Sequence, residues 1–185
     1  MSLRVRFTGL DERLRRGTAE LAPQLGLVFS DEGTEVRAVK GDSLSIKKDG
    51  DVVVITYIRE HQFYRMLSYL PGVLSGKPGR EEKPNYRMLC YMADMSRNAV
   101  YNLTTAKRML RYLALMGYDS LMLYTEDTFE LPGYPYFGHM RGRFSHDELK
   151  ETDDYAYDLG IEVIPCVQTL AHLATALRWP GFEFQ

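Results

Sequence analysis

The chain has 185 residues, with 23 Lys+Arg against 25 Asp+Glu, for a net charge of −2 at pH 7. Its 45% hydrophobic and 26% charged residues are ordinary globular proportions, which exclude a disordered or collagen-like chain. A charge near zero gives no general pull toward nucleic acid or an anionic membrane, no apolar run reaches the ~18 residues of a membrane span, and Arg4, Arg6, Asp11 and Glu12 break up any secretory h-region.

The first half reads as a small α+β unit. Arg4-Val5-Arg6-Phe7 alternates like a strand. Asp11 is placed to cap a helix with Leu14, Leu21 and Ala22 on one side, and Pro23 with Gly26 is expected to end it. Leu44 to Lys47 and Val52 to Ile58 flank Lys48-Asp49-Gly50-Asp51, a good hairpin signal. Phe63, Met66, Leu67 and Leu70 recur at helical spacing, and Pro71-Gly72 is expected to kink or close that helix. The polar, breaker-rich stretch from Gly76 to Pro84 reads as a linker.

The rhythm then changes. Met88 to Met92 is a continuous apolar run, as expected of a strand buried on both faces. Ala106, Met109, Leu110, Leu113 and Met116 form a helical stripe that stops at Gly117. Leu121 to Tyr124 is a second buried strand. Ser145-His146-Asp147-Glu148 is a capping box, and the helix it opens runs to Gly160. Ile161 to Val167 is a third buried strand. Strands alternating with helices imply a parallel α/β sheet or barrel. Cys90 and Cys166 sit in apolar runs and read as buried free thiols rather than a disulfide, which fits a cytoplasmic origin.

In such a sheet, ligand groups gather at the C-terminal ends of the strands. The candidates are Asp94, Ser96 and Arg97 after the first strand, Glu126 and Asp127 after the second, and Gln168 and His172 after the third. Each also has a plain alternative: a surface Arg97–Asp94 pair, solvated loop charge, or a satisfied histidine. That all three groups fall at one end of three successive strands favours a site. The loop from Phe129 to Phe144 contains Pro132-Gly133-Tyr134-Pro135-Tyr136-Phe137-Gly138 and then Arg141 and Arg143. It reads either as a lid or as an aromatic wall beside a carbohydrate. No HExxH or Cys/His ladder, no phosphate-binding glycine loop and no GxSxG elbow is present, so neither a metal nor a cofactor is expected.

Arg87-Met88-Leu89 through Asp94-Met95-Ser96-Arg97 resembles the opening barrel strand of glycoside hydrolase family 20, the β-N-acetylhexosaminidases. Leu121 to Asp127 resembles that family's second strand, and Gly160 to Pro165 its third. The Tyr136-Phe137-Gly138 and Arg141-Gly142-Arg143 stretch, with Ile164 to Leu173, looks closest to a bacterial branch of exo-acting N-acetyl-β-glucosaminidases. The resemblance implies a small N-terminal domain over residues 1–84 and, over 85–185, the first three βα units of a (β/α)8 TIM barrel. It also implies N-acetylglucosamine-containing glycans as ligands. Arg97 would hold sugar hydroxyls, with Glu126, Asp127 and His172 in the polar network beside them. Two departures stand out: Glu126 replaces a usual Asp, and Gln168-Thr169-Leu170-Ala171 replaces a Pro-Gly turn before His172.

The family's reaction uses the substrate's own acetamido oxygen as nucleophile. The Asp-Glu pair that assists it comes from a fourth barrel strand, so these residues are expected to be a fragment of a glycosidase, inactive alone. A full barrel takes about 250 residues, and three units leave two open edges, so self-association is expected. The alternative is a non-catalytic carbohydrate-binding or assembly module.

Overall fold

The computed structural model describes residues 2–179; residues 180–185, the last of the expected barrel segment, lie outside it. The first strand, β1 (Leu3–Thr8), buries Val5 and leads into α1 (Glu12–Leu25). The Asp11 carboxylate accepts the Leu14 N–H at 2.8 Å, and the helix buries Leu14, Thr18, Leu21 and Ala22. The helix ends as expected just past Pro23, at Leu25, which packs against the core, and Gly26 closes it as a left-handed cap.

Two strands then straddle β1: β2 (Leu27–Phe29) on one side and β3 (Thr34–Lys40) on the other, all parallel. The four-residue connection passes directly over β1. A Cβ on Gly33 would lie 2.5 Å from the Val5 nitrogen, so no other residue fits that crossing. Next come β4 (Leu44–Asp49) and β5 (Val52–Tyr57), an antiparallel hairpin turning at Gly50-Asp51 as expected. Because β5 also pairs in parallel with β3, the sheet is mixed.

The helical run after β5 is two helices, α2 (Glu60–Leu67) and α3 (Leu70–Leu74). The break falls at Ser68-Tyr69, before Pro71, which sits in the first turn of α3 where its missing N–H has no partner to lose. The expected linker contains a strand, β6 (Arg80–Glu82), which pairs with the outer side of β4. Glu82 anchors it by accepting from Arg65 at 2.8 and 3.0 Å and from the Tyr69 hydroxyl at 2.5 Å. The strand order of this six-stranded sheet is β2-β1-β3-β5-β4-β6.

The second half follows the expected alternation: β7 (Cys90–Asp94), α4 (Leu103–Met116), β8 (Ser120–Tyr124), α5 (His146–Asp158), β9 (Glu162–Cys166) and a short α6 (Ala174–Leu177). Asn102 caps α4, and Ser145 with Glu148 forms the expected capping box on α5. The strands form a three-stranded parallel sheet, β7-β8-β9, with Met92, Met122 and Ile164 in one row.

These strands are covered on one face only. Ala93, Leu121 and Leu123 are buried toward the helices, while Met92 on the opposite face is 58% exposed. The reason is geometric: successive side chains alternate faces, and α4 and α5 lie against only one of them. The apolar runs therefore mark strands with one open face. Met88 and Leu89 precede β7 and are exposed, and Met116 ends the α4 stripe half out in solvent. Cys90 and Cys166 are free, as expected, but half-buried rather than buried.

Helices α1 and α2 meet α5 and α4, so the helices lie between the two sheets and one apolar cluster runs through both halves. At the tightest point, the Tyr64 hydroxyl donates to the Asp158 carbonyl at 2.6 Å across Gly17. Arg16 adds a two-pronged contact to the Asp158 carboxylate at 2.8 and 2.9 Å.

Candidate functional site

The C-terminal ends of β7, β8 and β9 point the same way because the strands are parallel and in register. After β7, the Ser96 N–H and hydroxyl both donate to one oxygen of Asp94, at 2.9 and 2.7 Å. Those bonds, strengthened by Arg97, hold the Asp94 carboxyl below its ordinary range. Arg97 lies 3.8 Å from the other Asp94 oxygen and its side chain is 64% exposed. The plain surface pair is therefore present, but it is loose and leaves the guanidinium accessible.

After β8 the chain turns inward. Thr125, Glu126, Asp127 and Thr128 are all buried, a run of four polar side chains in a row. Glu126 adopts a left-handed backbone with φ of 50°, and its N–H donates to the Gln168 side-chain oxygen at 2.8 Å. That bond ties the end of β8 to the loop after β9. The Glu126 carboxylate accepts a long bond from the Tyr124 hydroxyl at 3.4 Å, and His172 Nδ1 lies 3.8 Å away. Partial burial and this neighbouring carboxylate push the Tyr124 phenol above its ordinary value. Asp127 Oδ1 lies 3.2 Å from Arg141 Nη1, and the same nitrogen is 4.0 Å from Glu126 Oε2.

Strand ends therefore bring Glu126, Asp127, Gln168 and His172 together, whereas Arg97 pairs with Asp94 at the β7 side. Tyr124 and Arg141 join the cluster, and neither was singled out as a ligand group from the sequence. The alternation of β8 does place Tyr124 on the open face. Arg141 arrives from a distant part of the loop, and only its basic character was legible.

That loop is organised. Its stems are zipped where Phe129 bridges Phe144, with Glu130 N–H to Phe144 carbonyl at 2.9 Å. Phe137 and Phe144 turn inward and are buried, and Phe129 meets Phe137 edge-on at 5.1 Å. Arg143 braces the tip by donating to the Phe137 and Pro135 carbonyls at 2.5 and 3.2 Å. Tyr136 stacks on Trp179, ring centres 6.3 Å apart, and His139 meets the same ring edge-on at 4.9 Å. Phe137 and Phe144 are thus core, while Tyr134 and Tyr136 remain exposed.

Among the described residues no group of three His, Cys, Asp or Glu side chains is placed to hold a metal ion, and no helix is long and apolar enough to cross a membrane. A groove of about 650 Å³ lies at the opposite ends of the same strands, where Arg13, Arg59 and Arg87 face Asp119, Asp154 and Glu162. Its charges largely cancel one another.

No family model and no curated protein matches the sequence. Solved structures do match in fold. A β-N-acetylhexosaminidase from Bacteroides fragilis superposes with a TM-score of 0.70 at 16% identity, over 95% of this chain and 42% of its own. A GH20 exo β-N-acetylglucosaminidase from Vibrio harveyi, solved with N-acetylglucosamine, gives 0.68 at 14% identity, over 89% and 32%. A Streptomyces plicatus N-acetyl-β-hexosaminidase gives 0.67 at 20% identity, over 88% and 41%. This chain therefore shares the α/β fold with its mixed sheet, and it spans about a third to two fifths of the length of those proteins.

Proposed function

We propose that these residues are part of a family 20 β-N-acetylhexosaminidase, a glycoside hydrolase that removes terminal N-acetyl-β-glucosamine. In this reading residues 1–84 are the small domain that precedes the barrel. Residues from 85 onward supply the first three βα units of a TIM barrel. The open face of β7-β8-β9 would then be barrel interior, and the cluster at the strand ends would be one side of a sugar pocket. Arg97 would hold two adjacent hydroxyls, since a planar guanidinium matches that geometry. Glu126, Tyr124 and His172 would line the floor.

The observation that carries the reading is the meeting of Glu126 and His172 at 3.8 Å, from the ends of two neighbouring parallel strands. That end of a parallel sheet is where side chains from different strands converge on one ligand. The likeness of fold to N-acetylglucosamine-handling enzymes supports the same direction. No Asp-Glu pair stands at the ends of β7, β8 or β9, so a polypeptide of these 185 residues is proposed to bind but not to cleave. Self-association through the outer strands β7 and β9 belongs to the same proposal.

Calorimetry with N-acetylglucosamine, beside a chromogenic glycoside assay, tests it. The expected result is saturable binding, weakened about tenfold by Arg97→Ala through loss of a bidentate contact, with no turnover. Absence of binding in the native sequence would remove the sugar-site reading. Binding untouched by Arg97→Ala would favour the second reading, a carbohydrate-binding or assembly module with its site elsewhere.

A further inference from the structure

Three described residues other than glycine have a left-handed backbone: Glu126 at φ 50°, Met140 at 61° and His172 at 62°. Such conformations cost about 1 kcal/mol or more and persist where the surroundings fix them. They fall along one chain of contacts. Met140 immediately precedes Arg141, Glu126 lies 4.0 Å from the Arg141 guanidinium, and His172 meets the same Glu126 carboxylate from the other side.

Asp127 supplies an independent observation. Its side chain is only 2% exposed, and neither carboxylate oxygen accepts a hydrogen bond. Arg141 Nη1, at 3.2 Å, is the counter-charge that faces it. A dry carboxylate is costly to bury and is tolerated beside an opposite charge. The loop backbone is pressed onto the same residue: a Cβ on Gly138 would lie 2.4 Å from the Asp127 carbonyl oxygen. Both acids thus face the Arg141 guanidinium, Asp127 at 3.2 Å and Glu126 at 4.0 Å, and Glu126 also meets Tyr124 and His172.

We infer that Arg141 is a positioning residue of the strand-end site: its guanidinium neutralises buried Asp127, with Glu126 as a second and more distant counter-charge, and thereby fastens loop 128–144 over the end of β8. Arg143 has a different task, since it bonds carbonyls of its own loop. The ligand part of this inference rests on the sugar-site reading; the ion pair and its hold on the loop stand without it.

A charge-specific cycle tests it, with a reporter already in place. Trp179 is the one tryptophan of the chain and packs on Tyr136 and His139 of the loop, so its emission reports loop position. Arg141→Gln should red-shift that emission and weaken N-acetylglucosamine binding by about tenfold or more, because it strands a buried charge. Asp127→Asn added to Arg141→Gln should move the emission back toward the native value, since the nearer of the two stranded charges is then gone. Arg141→Lys should fall between native and Arg141→Gln. Native emission in Arg141→Gln, or a double variant no better than Arg141→Gln, would overturn the inference. Should Arg141→Gln fail to fold, recovery of folding in the double variant supports the inference, and failure of both overturns it. Native protein that binds no sugar would remove the ligand reading but leave the emission cycle decisive for the ion pair.

Discussion

His61 is a buried imidazole in the first turn of α2, 6% exposed, pressed against the backbone where α5 runs into β9. Desolvation, and then the nearby Arg59 charge, push it down to about 4. Unfolded, it would titrate near its ordinary value of about 6.5. Between those values the unfolded chain binds a proton that the folded chain excludes. The stability contributed by the neutral imidazole is therefore complete above pH 6.5, falls as the pH drops, and is lost by about pH 4. Glu60 and Glu82, held below the ordinary carboxylate range by Lys40 and Arg65, lose stability in the same direction as they are protonated. The histidine's share is isolated by comparison with His61→Gln. Urea unfolding at pH 7 and pH 4.5 should show the native protein losing on the order of 2 kcal/mol more than the variant. Equal losses would show that His61 is not excluded from protonation in the folded state.

At the scale of elements, helices were the most legible part. Asp11 and Ser145 each sit one residue before their helix and accept a first-turn N–H, a pattern written in local residue order. The hairpin at Gly50-Asp51 is local in the same sense. The short and charged strands were not legible. β3 buries only Val36 and Ala38 between Glu35, Arg37 and Lys40, and β6 is three polar residues held by partners in α2 and β4. Their strand character comes from neighbours far away in sequence. The same holds for the site. Glu126 and His172 could be placed because strand ends can be counted, but the fold of the loop that delivers Arg141 has no local signature. Packing between elements adds one more test. Gly17 sits mid-helix, where glycine is disfavoured by about 1 kcal/mol relative to alanine. Yet a Cβ there would lie 2.1 Å from the Tyr64 hydroxyl and 2.3 Å from the Asp158 carbonyl. Gly17→Ala should therefore destabilise the protein, by about 2 kcal/mol, through forced separation of α1 from α2 and α5. Thermal unfolding measures it, and a rise in Tm would show that the helices accommodate the methyl group.

At the scale of the whole molecule, two sheets enclose the helices, and the outer face of the second sheet is left open. β7 is an outer strand of that sheet. The N–H of Met95 and the carbonyl of Leu89 turn toward β8, so by alternation the backbone groups of Cys90, Met92 and Asp94 turn outward. The outer edge of β9 is partly blunted, because Pro165 at an outward position has no N–H to offer. Self-association should therefore run through β7. Sedimentation velocity should show reversible dimers at tens of micromolar protein, and Met92→Lys, which puts a charge on that edge and face, should shift the protein to monomer. Dimers unaffected by Met92→Lys would place the contact elsewhere.

A sugar site is proposed where β7, β8 and β9 end. Amide ¹H–¹⁵N spectra recorded during titration with N-acetylglucosamine test it residue by residue. Saturable shifts confined to Ser96 and Arg97, Tyr124 to Asp127 and Gln168 to His172 are expected. Shifts centred instead on the Arg13, Arg59 and Arg87 groove at the opposite ends of the strands, or no saturable shifts at all, would contradict that proposal.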